Sequence, residues 1–226
     1  MIFIFNFVSQ SAFYMENQQQ HLDALKDIRQ LMKQSNRFLS LSGLSGIFAG
    51  IYALIGAYAG HVVIMNFISD CRLNDYSEEK YNVMIVMCAV ICALVLGMSL
   101  ITAFIFSGRK AKKTGQKLFD HTTWQLLINM FIPLAAGGVF CIAMLFHGDG
   151  FVVLVGPAML IFYGLALVNG SKYTLHDIRY LGCMQIVLGI LASFYLGYSL
   201  LFWAIGFGVL HIVYGTIMWF KYDRKS

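Results

Sequence analysis

Few side chains in this sequence could do chemistry, and most lie in apolar surroundings. His211, Asn129 and Gln185 are the polar residues deepest in long uncharged runs. A neutral imidazole in such a run needs a hydrogen-bond partner, because an unsatisfied polar group in hydrocarbon is costly. Asn129 or Gln185 could supply that partner to His211. The same three residues could instead line a path for a neutral solute, or His211 could ligate haem or relay a proton.

A second constellation combines His61, His147, Cys88, Cys92 and Cys141. Cys88 and Cys92 share a helical face, and Cys141 falls at comparable depth in the next run. Thiolates with imidazoles suit soft metals. Their spacing is neither a zinc nor a redox CxxC motif, and buried Cys also serves as a small hydrophobe. His61 and His147 could face each other as a haem pair, whereas His211 lies deeper with no ligand at its level. The expectation is no cofactor, haem and metal included. No phosphate-binding glycine loop, nucleophile elbow or HExxH occurs, so no catalytic residue is assigned.

The elements that position these residues follow from composition. Of 226 residues, 59% are hydrophobic and only 12% charged, and mean hydropathy is +0.70. Soluble domains carry about 25% charged residues, so the chain belongs with integral membrane proteins. A hydrocarbon core of about 30 Å needs about 20 apolar residues per helix. Uncharged runs of that kind cover 38–67, 82–106, 124–146 and 151–168. Residues 180–220 contain no charge at all, and one helix of that length would be roughly 60 Å long. They must form two spans, 180–197 and 200–220, with Gly197-Tyr198-Ser199 as the turn. The expected fold is all-α, a polytopic bundle of six transmembrane helices. Barrel strands would alternate in polarity, and none does.

Charge sets the orientation. One side holds 14 of the 16 Lys and Arg with six of the eleven acids, a net +8. The other holds Arg72 and Lys80 with five acids, a net −3. Both ends are therefore expected on the cytoplasmic side. No Asp, Glu, Lys or Arg lies deep in a span, which argues against a proton-coupled pump. The Arg109-Lys110-Ala111-Lys112-Lys113 run is basic enough to contact anionic headgroups, and a nucleic-acid partner is not expected.

Residues 1–37 read as a cytoplasmic tail. Residues 1–14 are apolar but lack the basic start of a secretory signal. The change at Met15-Glu16-Asn17 points either to initiation at Met15 or to an interfacial anchor before it. Residues 16–36 have amphipathic helical spacing, with Leu22, Leu25, Ile28, Leu31 and Met32 opposite mixed charges. That segment could lie on the membrane or dock a cytoplasmic protein. Residues 221–226 form the other cytoplasmic tail.

Helices in lipid associate through small residues that let backbones approach. Ser42, Gly46 and Gly50 form one such stripe, Ala49, Ala53 and Ala57 a second, and Gly56 with Gly60 a third. Gly182 with Gly189, and Gly208 with Gly215, each share a face. Pro133 and Pro157 should each remove a helix hydrogen bond and bend the helix.

Three segments carry a resemblance. They are Asn36-Arg37-Phe38-Leu39-Ser40-Leu41-Ser42-Gly43-Leu44-Ser45-Gly46, Asp177-Ile178-Arg179-Tyr180-Leu181-Gly182, and the run 202–215 from Phe202-Trp203 to Tyr214-Gly215. Together they resemble a family of uncharacterised bacterial inner-membrane proteins, over residues from about 20 to the end. The last hairpin is also similar to the Gly-rich hairpins of the acid-resistance membrane protein family. The resemblance implies a bacterial cytoplasmic membrane and supplies no activity. The expectation is a non-enzymatic membrane partner, sensor or regulatory subunit. A small transporter or channel for a neutral or apolar solute is the alternative, and a haem or metal redox protein the third.

Overall fold

A computed structural model describes residues 42–73, 76–114 and 120–223. The amphipathic segment 16–36 and the ends 1–41 and 224–226 lie outside the described residues. The described chain is helical, with no strand. Its elements are α1 (Gly43–Leu73), α2 (Glu78–Thr114), α3 (His121–Phe146), a single turn α4 (Asp149–Val152), α5 (Val155–Gly170) and α6 (Ile178–Phe194). A final helical run covers Leu196–Asp223 and includes α7 (Ser199–Trp203) and α8 (His211–Met218). Two stretches of that run, Ala204–Leu210 and Trp219–Asp223, are wound as π-helix.

The architecture is an all-α membrane bundle. Five helical runs are long and apolar enough to cross a bilayer: Gly43–Leu73, Glu78–Lys113, His121–Phe146, Gly150–Gly170 and Leu196–Asp223. The sixth, Ile178–Phe194, has 17 residues, the lower end of the spanning range of about 17–25. It is short because the backbone breaks at Tyr195 (φ −119°, ψ 59°) and tightens into a 3₁₀ turn over Leu196–Tyr198.

Local chemistry explains the other boundaries. Asp120 caps α3, its carboxylate accepting from Thr123 N and Thr123 Oγ1, both at 2.7 Å. Acids Glu78 and Glu79 open α2 and Lys112 and Lys113 close it, each favourable to the helix dipole. The turn after α3 is made at Gly148, where φ is +102° and ψ 176°, a conformation open essentially to glycine alone.

The two prolines behave differently. Pro133 lies well inside α3. Pro157 lies in the first turn of α5, where a backbone N–H has no intrahelical partner to lose. Instead of bending the middle of a helix, it follows a two-residue turn that keeps right-handed helical angles within the run Gly150–Gly170. The turn is Val153 and Leu154, and Val153 is the residue whose carbonyl the proline ring would meet.

The helices pack as two groups joined by the final run. α1 packs along α2, α8 and the π-helical stretch before α8, while α5 packs along α6 and α3. Glycines make the closest approaches. A Cβ on Gly50 would fall 2.6 Å from the carbonyl oxygen of Gly208. One on Gly215 would fall 2.6 Å from Ile47 N and 2.7 Å from the Gly43 carbonyl, and one on Gly46 would lie 3.2 Å from Gly215 Cα. Gly182 meets Gly164 backbone to backbone, a Cβ there lying 2.8 Å from the Gly164 carbonyl, and Gly189 lies against Pro157 and Ile161. Gly56 faces the Val95 side chain, whereas Gly60 has only Leu200 near it, at 3.9 Å.

Candidate functional site

Among the described residues a buried polar arrangement centres on the carbonyl of Gly206, in the π-helical stretch. His211 follows five residues later, and its Nδ1 lies 3.0 Å from that oxygen. Gln185, from α6, donates Nε2–H to the same oxygen at 2.8 Å. A carbonyl oxygen only accepts, so His211 Nδ1 carries the proton. In a neutral ring Nε2 then accepts, and Tyr163 of α5 donates its hydroxyl to it at 2.8 Å. His211 and Gln185 are buried and Tyr163 partly so.

Two side chains thus share the Gly206 carbonyl as their acceptor. The surrounding backbone is wound wide, a form found mostly as short insertions at functional positions. Gly206 itself is pressed against Gln185, since a Cβ there would lie 2.5 Å from Gln185 Oε1. That oxygen is buried and has no hydrogen-bond partner among the described residues. Trp203, Phe207, Tyr163 and His211 form a ring string beside the carbonyl. Centroids are 5.1 Å apart for Trp203–Phe207 and Tyr163–Phe207, and 5.4 Å for Tyr163–His211.

Asn129 stands apart from this network. Its own Nδ2 bonds back to Gln125 O at 2.8 Å. Its backbone carbonyl has lost its helical partner, because the residue four positions on is Pro133, which has no N–H. Asn169 of α5 fills the gap, donating Nδ2–H to Asn129 O at 2.8 Å, while Lys172 Nζ bonds Asn169 Oδ1 at 3.1 Å. The proline thus ties α3 to α5. Of the three polar residues singled out in the sequence, the structure joins His211 and Gln185 through one carbonyl and leaves Asn129 elsewhere. Tyr163 and Asn169 are the partners that were not singled out.

In the second constellation, Cys88 and Cys141 both lie within electrostatic reach of Cys92. Among the described residues no group of three His, Cys, Asp or Glu side chains could hold an ion. His61 is exposed on α1. His147 ends α3, its Nδ1 donating to Ala143 O at 2.7 Å. Cys88, Cys92 and Cys141 are free thiols of intermediate burial, and Cys141 Sγ lies 4.0 Å from Val155 O.

The basic end of the bundle is cross-tied by two aspartates. Asp223 Oδ2 accepts from Ser42 Oγ at 3.0 Å and Gly43 N at 2.9 Å, and its Oδ1 accepts from Lys110 Nζ at 2.6 Å. Asp177, just before α6, accepts from Lys221 Nζ at 2.7 Å and Tyr222 Oη at 2.8 Å. Burial pushes the Asp177 carboxyl up, but those two hydrogen bonds and the lysine charge bring it below its ordinary value. Burial likewise raises Asp120, and the Thr123 bonds more than reverse it. The start of α1, the end of α2, the start of α6 and the end of the final run therefore meet at one end. The opposite, acidic end carries an exposed Lys80–Asp70 pair at 3.3 Å beside a cleft of about 420 Å³ lined by Asn66, Asp70, Glu79 and Lys80.

Comparison with family models, curated proteins and solved structures finds no match to this chain. The functional reading therefore rests on its residues and their geometry.

Proposed function

We propose that this membrane protein belongs to a bacterial cytoplasmic membrane, with both ends in the cytoplasm. There it acts as a non-enzymatic partner, sensor or regulatory subunit. The observation that supports this most is the state of its deepest polar groups. Tyr163 bonds His211, and His211 Nδ1 and Gln185 Nε2 both bond Gly206 O, at 2.8–3.0 Å. A carrier of ions usually places ionisable residues along its path, and this chain keeps its acids and bases at the ends of its spans. The amphipathic segment 16–36 is the docking surface that this reading assigns to a cytoplasmic protein. Photo-cross-linking in intact membranes should capture one partner through residues 16–36, and deletion of 16–36 should abolish it. Association and phenotype that survive the deletion overturn the reading.

A second reading has one observation in its favour. Gln185 Oε1 is an unmet acceptor in the bundle interior, as a path for a neutral hydrogen-bonding solute would need. Glycerol and urea uptake by proteoliposomes tests it. Uptake by the intact chain that falls when Gln185, His211 and Asn129 are replaced together supports a transporter. No uptake above protein-free vesicles removes it for these solutes.

A further inference from the structure

We infer that the basic end of α2 holds an anionic phospholipid, with the acyl chains lying along one exposed stripe of that helix. The inference deepens the membrane-protein reading and does not depend on a cytoplasmic partner. The stripe begins with Leu94, Met98, Ile101 and Ile105, which follow one another at four, three and four residues and are all exposed. Helical spacing of that kind keeps them on one face. Arg109 and Lys112 continue the same face at four and seven residues beyond Ile105, and both are exposed, as is the adjacent Lys113.

The packed side of α2 is elsewhere on the helix. Phe106 stacks on Phe48 of α1 at 5.6 Å, and Lys110 turns onto Asp223 at 2.6 Å. Lys110 thus neutralises an acid of the bundle, while the other three cations of the run face outward. Leu94 to Ile105 spans roughly 17 Å of helix, close to the 15 Å of one leaflet. A chain lying there has its phosphate at the level of Arg109 and Lys112. Arginine offers a planar pair of donors to phosphate oxygens, and lysine adds point charge.

The two ends of the same helix also differ in charge. Its other end opens with exposed Glu78 and Glu79, which repel an anionic headgroup. Charge complementarity therefore selects both the class of lipid and the end of the helix.

The test uses the full chain, delipidated in neutral detergent and titrated with mixed micelles of phosphatidylglycerol or phosphatidylcholine. Bound lipid is counted by native mass spectrometry. Phosphatidylglycerol should be retained over phosphatidylcholine. Each cation removed should weaken it about fivefold, so Arg109→Gln, Lys112→Gln and Lys113→Gln together should cost of the order of a hundredfold. The single variant Arg109→Gln serves if the triple variant does not fold. Glu78→Gln with Glu79→Gln should leave retention unchanged. Three results overturn the inference: equal retention of the two lipids, unchanged retention in the basic-end variants, or displacement by millimolar inorganic phosphate. A change of oligomeric mass in those variants, with lipid retention intact, also overturns it and makes the stripe an interface between copies.

Discussion

Asp223 Oδ2 lies 2.9 Å from the backbone nitrogen of Gly43, so the end of the last helix caps the start of the first across 180 residues. The same carboxylate takes Ser42 Oγ and, through its other oxygen, Lys110 Nζ. One side chain thereby fixes three helix ends at one end of the bundle. It also brings the start of the first described helix and the end of the final run to the same end of the bundle.

Replacing Asp223 with Ala should lower stability by about 1–3 kcal/mol, from the lost cap on Gly43 N and the lost bonds to Ser42 and Lys110. Lys110 is only 14% exposed, so solvent screens its pair with Asp223 little. Lys110→Met should therefore cost less on the Asp223→Ala background than in the parent. Thermal unfolding in detergent of the two single variants and the double variant checks this. Losses that simply add would show that the pair is not coupled.

Asp177 and Asp120 make acid stability the next expectation. Both carboxyls sit below their ordinary value in the folded chain. A lowered carboxyl contributes stability above its unfolded pKa and loses it as pH falls through the folded one. Stability should be level near neutrality and fall below about pH 4. Asp177→Asn, which keeps the shape and removes the charge, should make that acid limb shallower. Denaturation midpoints across pH 3–7 decide it, and parallel curves for variant and parent would refute it.

Glycines supply an internal contrast. Gly215→Ala drives a methyl to within 2.6 Å of Ile47 N, backbone that cannot swing aside. Overpacking of this kind costs about 1–3 kcal/mol. Gly97 and Gly138 have nothing within 4 Å of the same position. Alanine at either should leave stability unchanged or raise it by up to about 1 kcal/mol. A melting series of the three variants separates packing from helix propensity.

Much of this fold is legible in the residue order because charge is so scarce. The uncharged stretch 180–220 demands two spans, and the structure turns there at Tyr195–Tyr198. Gly208 and Gly215 signal close approach, but only the structure shows that they meet Gly43, Gly46 and Gly50. The candidate site is less legible. Asn129 precedes Pro133 by four residues, so a free carbonyl could be inferred, yet its donor Asn169 comes from another helix. Tyr163 reads as one more aromatic in an apolar run, and nothing local marks it as the partner of His211. Asp223 looks like a tail residue, because a cap supplied across such a distance leaves no spacing signal.

The network around Gly206 gives the last prediction. The acceptor character of its carbonyl places the His211 proton on Nδ1. Nitrogen-15 spectra of labelled His211 should report that tautomer, with Nε2 accepting from a hydroxyl. Tyr163→Phe removes the donor at 2.8 Å while keeping the ring. It should shift the Nε2 resonance and cost about 1 kcal/mol. Gln185→Leu should leave the Nε2 resonance in place, because Gln185 bonds the shared carbonyl and not the ring nitrogen. If Gln185→Leu moves Nε2 as far as Tyr163→Phe does, the hydroxyl is not its partner and the relay from α5 to the final run is absent.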